Sequence, residues 1–139
     1  MRVFNLFDVE SGEAIAAHVI NTYHWSYRKN PELIFDGLAG RIQAMARAKA
    51  ISPDGVSPPI EIKSRTLELA IPDATSDVQR WVLGRATEFA ADLGVDLVIT
   101  RITEGGESTG HLERQIRCLW GRIRYRYGGG PEAVSWEMD

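Results

Sequence analysis

The sequence predicts a single two-layer α+β domain, with helices packed on one face of a small mixed sheet. Three observations lead there. Residues 60–71 alternate as a strand does, with Leu67, Leu69 and Ile71 on one side and Glu68 on the other. Residues 76–94 read as a helix. Residues 95–102 (VDLVITRI) then form a strongly apolar strand. If both strands lie parallel in one sheet, the crossover between them is right-handed.

The remaining elements follow in chain order. Residues 3–9 are a short apolar segment suited to an edge strand, closed by the turn-like Glu10-Ser11-Gly12. From Glu13, residues Ile15, Val19, Thr22 and Tyr23 recur at helical spacing, which predicts a first helix to about Tyr27. Asn30 caps a second helix, with Pro31 in its first turn, where the missing proline N–H costs nothing. Its apolar face is Ile34, Leu38, Ile42 and Met45, and it ends near Ala50. Residues 51–59 form the main loop, with three of the six prolines. Ser76 and Gln79 fit a capping box for the third helix, and Gly94 closes it. Val78, Val82, Phe89 and Leu93 mark its predicted buried face, with Trp81 and Ala86 beside it.

Length and composition suit one domain over residues 1–139, ending in an acidic tail from about residue 128. No apolar run approaches the roughly 18–20 residues a membrane span needs. Acids at Asp8, Glu10 and Glu13 interrupt any signal-peptide core, so a cytoplasmic protein without a membrane partner is expected. A single cysteine, Cys118, excludes an internal disulfide and a cysteine-based zinc site.

Charge is distributed unevenly. Residues 114–127 (RQIRCLWGRIRYRY) hold five of the sixteen basic residues and no acid, inside a chain of formal net charge −3. Read as a strand with a bulge at Gly121, the segment runs antiparallel to residues 95–102 and carries Arg122, Arg124 and Arg126 on one face. Read as a helix, it has an apolar stripe of Leu112, Ile116, Leu119, Ile123 and Tyr127. The aromatic and β-branched content favours the strand. Guanidinium groups at period two stand ~7 Å apart, near the phosphate spacing of an extended single strand. They equally suit an acidic protein surface.

From these features the leading expectation is a small non-catalytic binding or assembly module, an accessory or inhibitory protein docking on a larger complex. Arg117, Trp120, Arg122, Arg124, Tyr125 and Arg126 form its contact surface. No cofactor is then needed, and homo-oligomerisation stays open. A sequence-independent nucleic-acid binder is the weaker alternative, because the rest of the chain is acidic.

A second motif points to chemistry. Pro53-Asp54 is followed, after a gap of six residues, by Glu61-Ile62-Lys63. This resembles the PD-(D/E)xK signature of restriction-endonuclease-like nucleases. The resemblance implies a metal-dependent nuclease in which Asp54 and Glu61 hold Mg or Mn while Lys63 steadies the attacking water or the developing charge. It also implies an extra acid from the preceding helix, for which Glu32 or Asp36 would serve. Strand alternation puts Glu61 and Lys63 on one face, as that chemistry requires.

The histidines carry less. His18 and His24 are six residues apart, which is not the spacing at which a helix chelates a metal. The Tyr23-His24-Trp25-Ser26-Tyr27 cluster is expected to pack the end of the first helix. His111 follows Gly110 in a loop with no identifiable partner. No P-loop or Gly-x-Ser-x-Gly is present.

Overall fold

The computed structural model describes residues 3–52, 55, 56, 58–72, 74–101 and 134–136. The elements are β1 (Leu6–Asp8), β2 (Glu13–Val19), α1 (Trp25–Lys29), α2 (Glu32–Arg47), β3 (Ala50–Ile51), β4 (Ile60–Glu61), β5 (Ser64–Ile71), α3 (Asp77–Asp92), β6 (Asp96–Arg101) and β7 (Val134–Trp136). The main sheet has the order β6-β5-β2-β1-β7, and β3 and β4 form a separate two-stranded ribbon. β2, β5 and β6 are mutually parallel, whereas β1 is antiparallel to both β2 and β7. The fold is α+β with a mixed sheet, and β5–α3–β6 is the expected strand–helix–strand unit.

Helices α2 and α3 cover one face of the sheet. Ile34, Leu38, Ile42 and Met45 of α2 meet Leu67, Leu69 and Ile71 of β5 and Ala14 and Ala16 of β2 in one buried cluster. Across the seam, α3 contributes Val82, Leu83, Ala86 and Ala90. Arg65 ties α2 to β5: its Nε donates to the Met45 carbonyl at 2.9 Å and its Nη2 to the Ala48 carbonyl at 2.5 Å. Those carbonyls sit at the end of α2, where no intrahelical amide reaches them.

Several expectations are corrected. Residues 13–19 are a strand, β2, and the helix that follows is only five residues long. The pattern misled because β2 lies between β1 and β5, where a strand buried on both faces loses its alternation. β1 is therefore no edge strand. Asn30 closes α1 rather than capping α2, whose N-cap is Pro31 without a side-chain bond. The expected strand over residues 60–71 divides into β4 and β5, interrupted at Ile62 and Lys63. The α3 face is rotated: Val78, Trp81 and Leu93 are exposed, and Gln79 is buried instead.

The Ser76 cap itself is as read, its hydroxyl accepting from the Gln79 amide at 3.2 Å. At the other end, Val95 N–H donates to Ala90 O and Gly94 N–H to Ala91 O, with Gly94 at φ +79°. That pair of bonds is a Schellman close, which needs a left-handed residue at Gly94. The segment expected to carry the arginine row lies outside the described residues. Within the expected acidic tail, Val134–Trp136 is a strand paired with β1.

Candidate active site

The ribbon after α2 carries the motif residues. Ala50 pairs with Glu61 and Ile51 with Ile60, and Ile62 N–H donates to Lys49 O at 2.9 Å. Ile62 is buried while Glu61 and Lys63 are exposed, so alternation does put the acid and the base on the same outward side. Asp54 lies outside the described residues. Lys63 is tied to the β1–β2 turn: its N–H donates to Gly12 O at 2.8 Å. Gly12 adopts φ +77°, and a Cβ built there would stand 2.9 Å from Lys63 Cγ. The lysine stem therefore lies across that turn, at the edge of the sheet where β2, β5 and β6 all begin. Glu32 is elsewhere. It pairs with Arg85 at 2.9 Å from the opposite end of α2, roughly 22 Å along the helix from the ribbon.

The structure adds a polar row that the sequence reading missed. On the sheet face turned away from α2 and α3, β2 presents Glu13, Ile15 and Ala17, β5 presents Thr66 and Glu68, and β6 presents Asp96 and Val98. Thr66 Oγ1 donates to Glu13 Oε1 at 2.6 Å. Asp96 stands beside Thr66 in register, and Glu68 lies between Ala17 and Val98 with no solvent exposure. Burying a carboxylate at the centre of three parallel strands is costly, and such groups concentrate at functional sites. The signal was legible: Glu68 is the only acid in the strand SRTLELAI. Sequence reasoning assigned it to the polar side and went no further. Among the described residues, no three His, Cys, Asp or Glu side chains stand close enough together to hold a metal ion.

The histidines serve other ends. His18 is on β2, not on a helix, and is paired with Leu69 on the helix-covered face. Burial, reinforced by the Arg41 guanidinium, lowers its pKa to about 4. His24 caps α1, its ring accepting from the Ser26 amide, while Trp25 beside it is largely exposed. Arg117, Trp120, Arg122, Arg124, Tyr125 and Arg126, with His111 and Cys118, lie outside the described residues.

Comparison with known proteins bears on this arrangement directly. Residues 1–100, which span β1 to nearly the end of β6, match the model of the CDI toxin restriction endonuclease-like domain. The chain is 26% identical over 102 residues to "Deoxyribonuclease CdiA-o11" of Escherichia coli O157:H7 (strain EC869), covering 73% of this chain and 27% of that relative. It is 24% identical over 102 residues to "Deoxyribonuclease CdiA" of Yersinia pseudotuberculosis serotype O:3 (strain YPIII), covering 73% of this chain and 10% of that one. The chain thus spans about a quarter and a tenth of the length of these curated relatives. A chain of the CdiA-CT/CdiI toxin and immunity complex from Yersinia pseudotuberculosis shares the fold, with a TM-score of 0.63 and 24% identity over 73% of this chain and 83% of that one. These findings overturn the expectation of a non-catalytic accessory or inhibitory module, and they bear out the resemblance to restriction-endonuclease-like nucleases. This chain belongs to the CDI toxin restriction endonuclease-like domain family.

Proposed function

We propose that this chain is a DNA-cleaving toxin domain that hydrolyses phosphodiester bonds at the sheet edge where β2, β5 and β6 begin. The observation that carries the reading is the family match: it runs through the ribbon bearing Glu61, through Lys63 and through the row of Glu13, Thr66 and Glu68. Hydrolysis of a phosphodiester needs a base or ion to activate water and a cation to offset charge on the phosphorus oxygens. Lys63, held over the Gly12 turn, is the assigned cation. Glu68, buried two residues along β5 from the Thr66–Glu13 bond and on the same face, is the assigned inner carboxylate.

A divalent ion, Mg or Mn, is what the nuclease resemblance implies. Glu13, Glu68 and Glu61 offer the hard oxygen atoms such an ion prefers. The described residues do not gather three of them, so the ligand set is incomplete here and no step is routed through the ion. By the same likeness the partners are a DNA substrate and a dedicated immunity protein, the toxin–immunity pairing being that of the structural neighbour. The domain acts in the cytoplasm.

The test is nicking of supercoiled plasmid by the wild-type chain with Mg or Mn, with and without EDTA, beside Lys63→Ala and Glu61→Ala. Metal-dependent nicking that both substitutions reduce supports the reading. No cleavage with either ion would sink it.

A further inference from the structure

We infer that the groove between the carboxyl ends of α2 and α3 holds a DNA strand next to the cleavage ribbon, seating a base on its apolar floor and phosphates on its basic rim. The inference rests on the nuclease reading and names how that site takes its substrate. The groove has a volume of about 440 Å³ and is lined by Gln43, Ala46, Arg47, Lys49, Phe89 and Leu93. Its floor is Ala46, half-buried Phe89 and Leu93, which is 40% exposed. Phe35 supports the Phe89 ring edge-on, with centroids 5.5 Å apart. An aromatic face flanked by cations is the combination that binds single strands, the base stacking while the backbone is neutralised.

Two features favour a polyanion over other occupants. Among the described residues no acid lines the groove, and neither Arg47 nor Lys49 forms an ion pair. Nor are these cations needed to close α2, because Arg65 already donates to the Met45 and Ala48 carbonyls at its end. The groove is also continuous with the candidate site. The Lys49 carbonyl accepts from Ile62, and the next residue, Ala50, pairs with Glu61. A strand lying across Arg47 and Lys49 is therefore delivered to the outward face of Glu61 and Lys63.

The experiment is fluorescence anisotropy of the full chain with a labelled single-stranded 12-mer in EDTA, across a salt series. Arg47→Ala with Lys49→Ala is expected to raise Kd about tenfold and flatten the salt slope by about 1.4, the loss of two phosphate contacts. Arg28→Ala with Lys29→Ala removes equal charge from α1, at the other end of α2, and is expected to change Kd less than about twofold. Arg47→Lys with Lys49→Arg restores binding. All six substitutions fall on exposed positions, and thermal unfolding confirms an unchanged fold. Equal losses from both double variants, or no binding by the wild type, would overturn the groove. Plasmid nicking is scored separately: cleavage with an unmoved Kd in the Arg47/Lys49 variant removes the groove alone, and the expected Kd pattern without cleavage removes the nuclease reading alone.

Discussion

Thr66 Oγ1 stands 2.6 Å from Glu13 Oε1, joining β5 to β2 on the sheet face opposite α2 and α3. The bond places a charge-assisted contact two residues along β5 from the buried Glu68, on the same face of the sheet.

Glu68→Gln keeps shape and hydrogen-bonding atoms but removes the charge. If Glu68 is the inner carboxylate, plasmid cleavage falls about 100-fold while the unfolding midpoint holds or rises, since an amide is cheaper to bury than a carboxylate. Full activity in this variant would move the chemistry away from the sheet face.

Gly12→Ala tests the turn beneath Lys63. The backbone sits at φ +77°, and the added methyl group would meet Lys63 Cγ at 2.9 Å. Strain and displacement together should cost about 1–3 kcal/mol, measured by urea unfolding. Cleavage should fall more than stability alone explains, because the lysine stem must move.

Gln79 links the start of α3 to the chain around α1. Its Nε2 donates to the carbonyls of Thr22 and Tyr27, each at 3.1 Å, and its Oε1 accepts from Thr75 N–H at 2.8 Å. Gln79→Leu removes all three bonds at a position with no solvent exposure and should destabilise by about 3 kcal/mol. Unfolding midpoints in urea provide the check, with Gln79→Glu as a variant that keeps the acceptor.

His18 makes stability depend on pH. Its pKa is lowered to about 4 in the folded chain by burial and by Arg41, from 6.5 as an ordinary histidine. Between those values the unfolded chain binds the extra proton and the folded one does not. The contribution is therefore intact above about pH 6.5 and is lost as pH falls towards 4. Allowing for partial solvent access, the loss is about 2 kcal/mol. His18→Gln should flatten the stability profile across that window.

The parts of this fold legible in the sequence are those governed by neighbours along the chain. The Ser76 cap, the Gly94 close, the face of α2 and the alternation of β5 depend on hydrogen bonds and periodicities only a few residues long. The outward pairing of Glu61 and Lys63 was legible for the same reason, because a period of two needs no knowledge of the partner strand. Recognition of the nuclease-like motif in residues 53–63 likewise used local spacing.

The tertiary structure decided what depends on burial from both sides. Residues 13–19 carry Ala14, Ile15 and Ala16 all buried, so neither strand nor helix periodicity survives, and only the placement between β1 and β5 makes them a strand. The helical spacing of α3 puts Val78 on the apolar face with Trp81 beside it, yet both are exposed and Gln79 is buried, because its amide meets three backbone groups around α1 and the start of α3. Glu68 shows the same limit most clearly. One acid in an apolar strand marks a side, but its complete burial two residues from Thr66 is a property of three parallel strands, β2 and β5 joined by contacts more than fifty residues apart and β5 and β6 by contacts thirty residues apart.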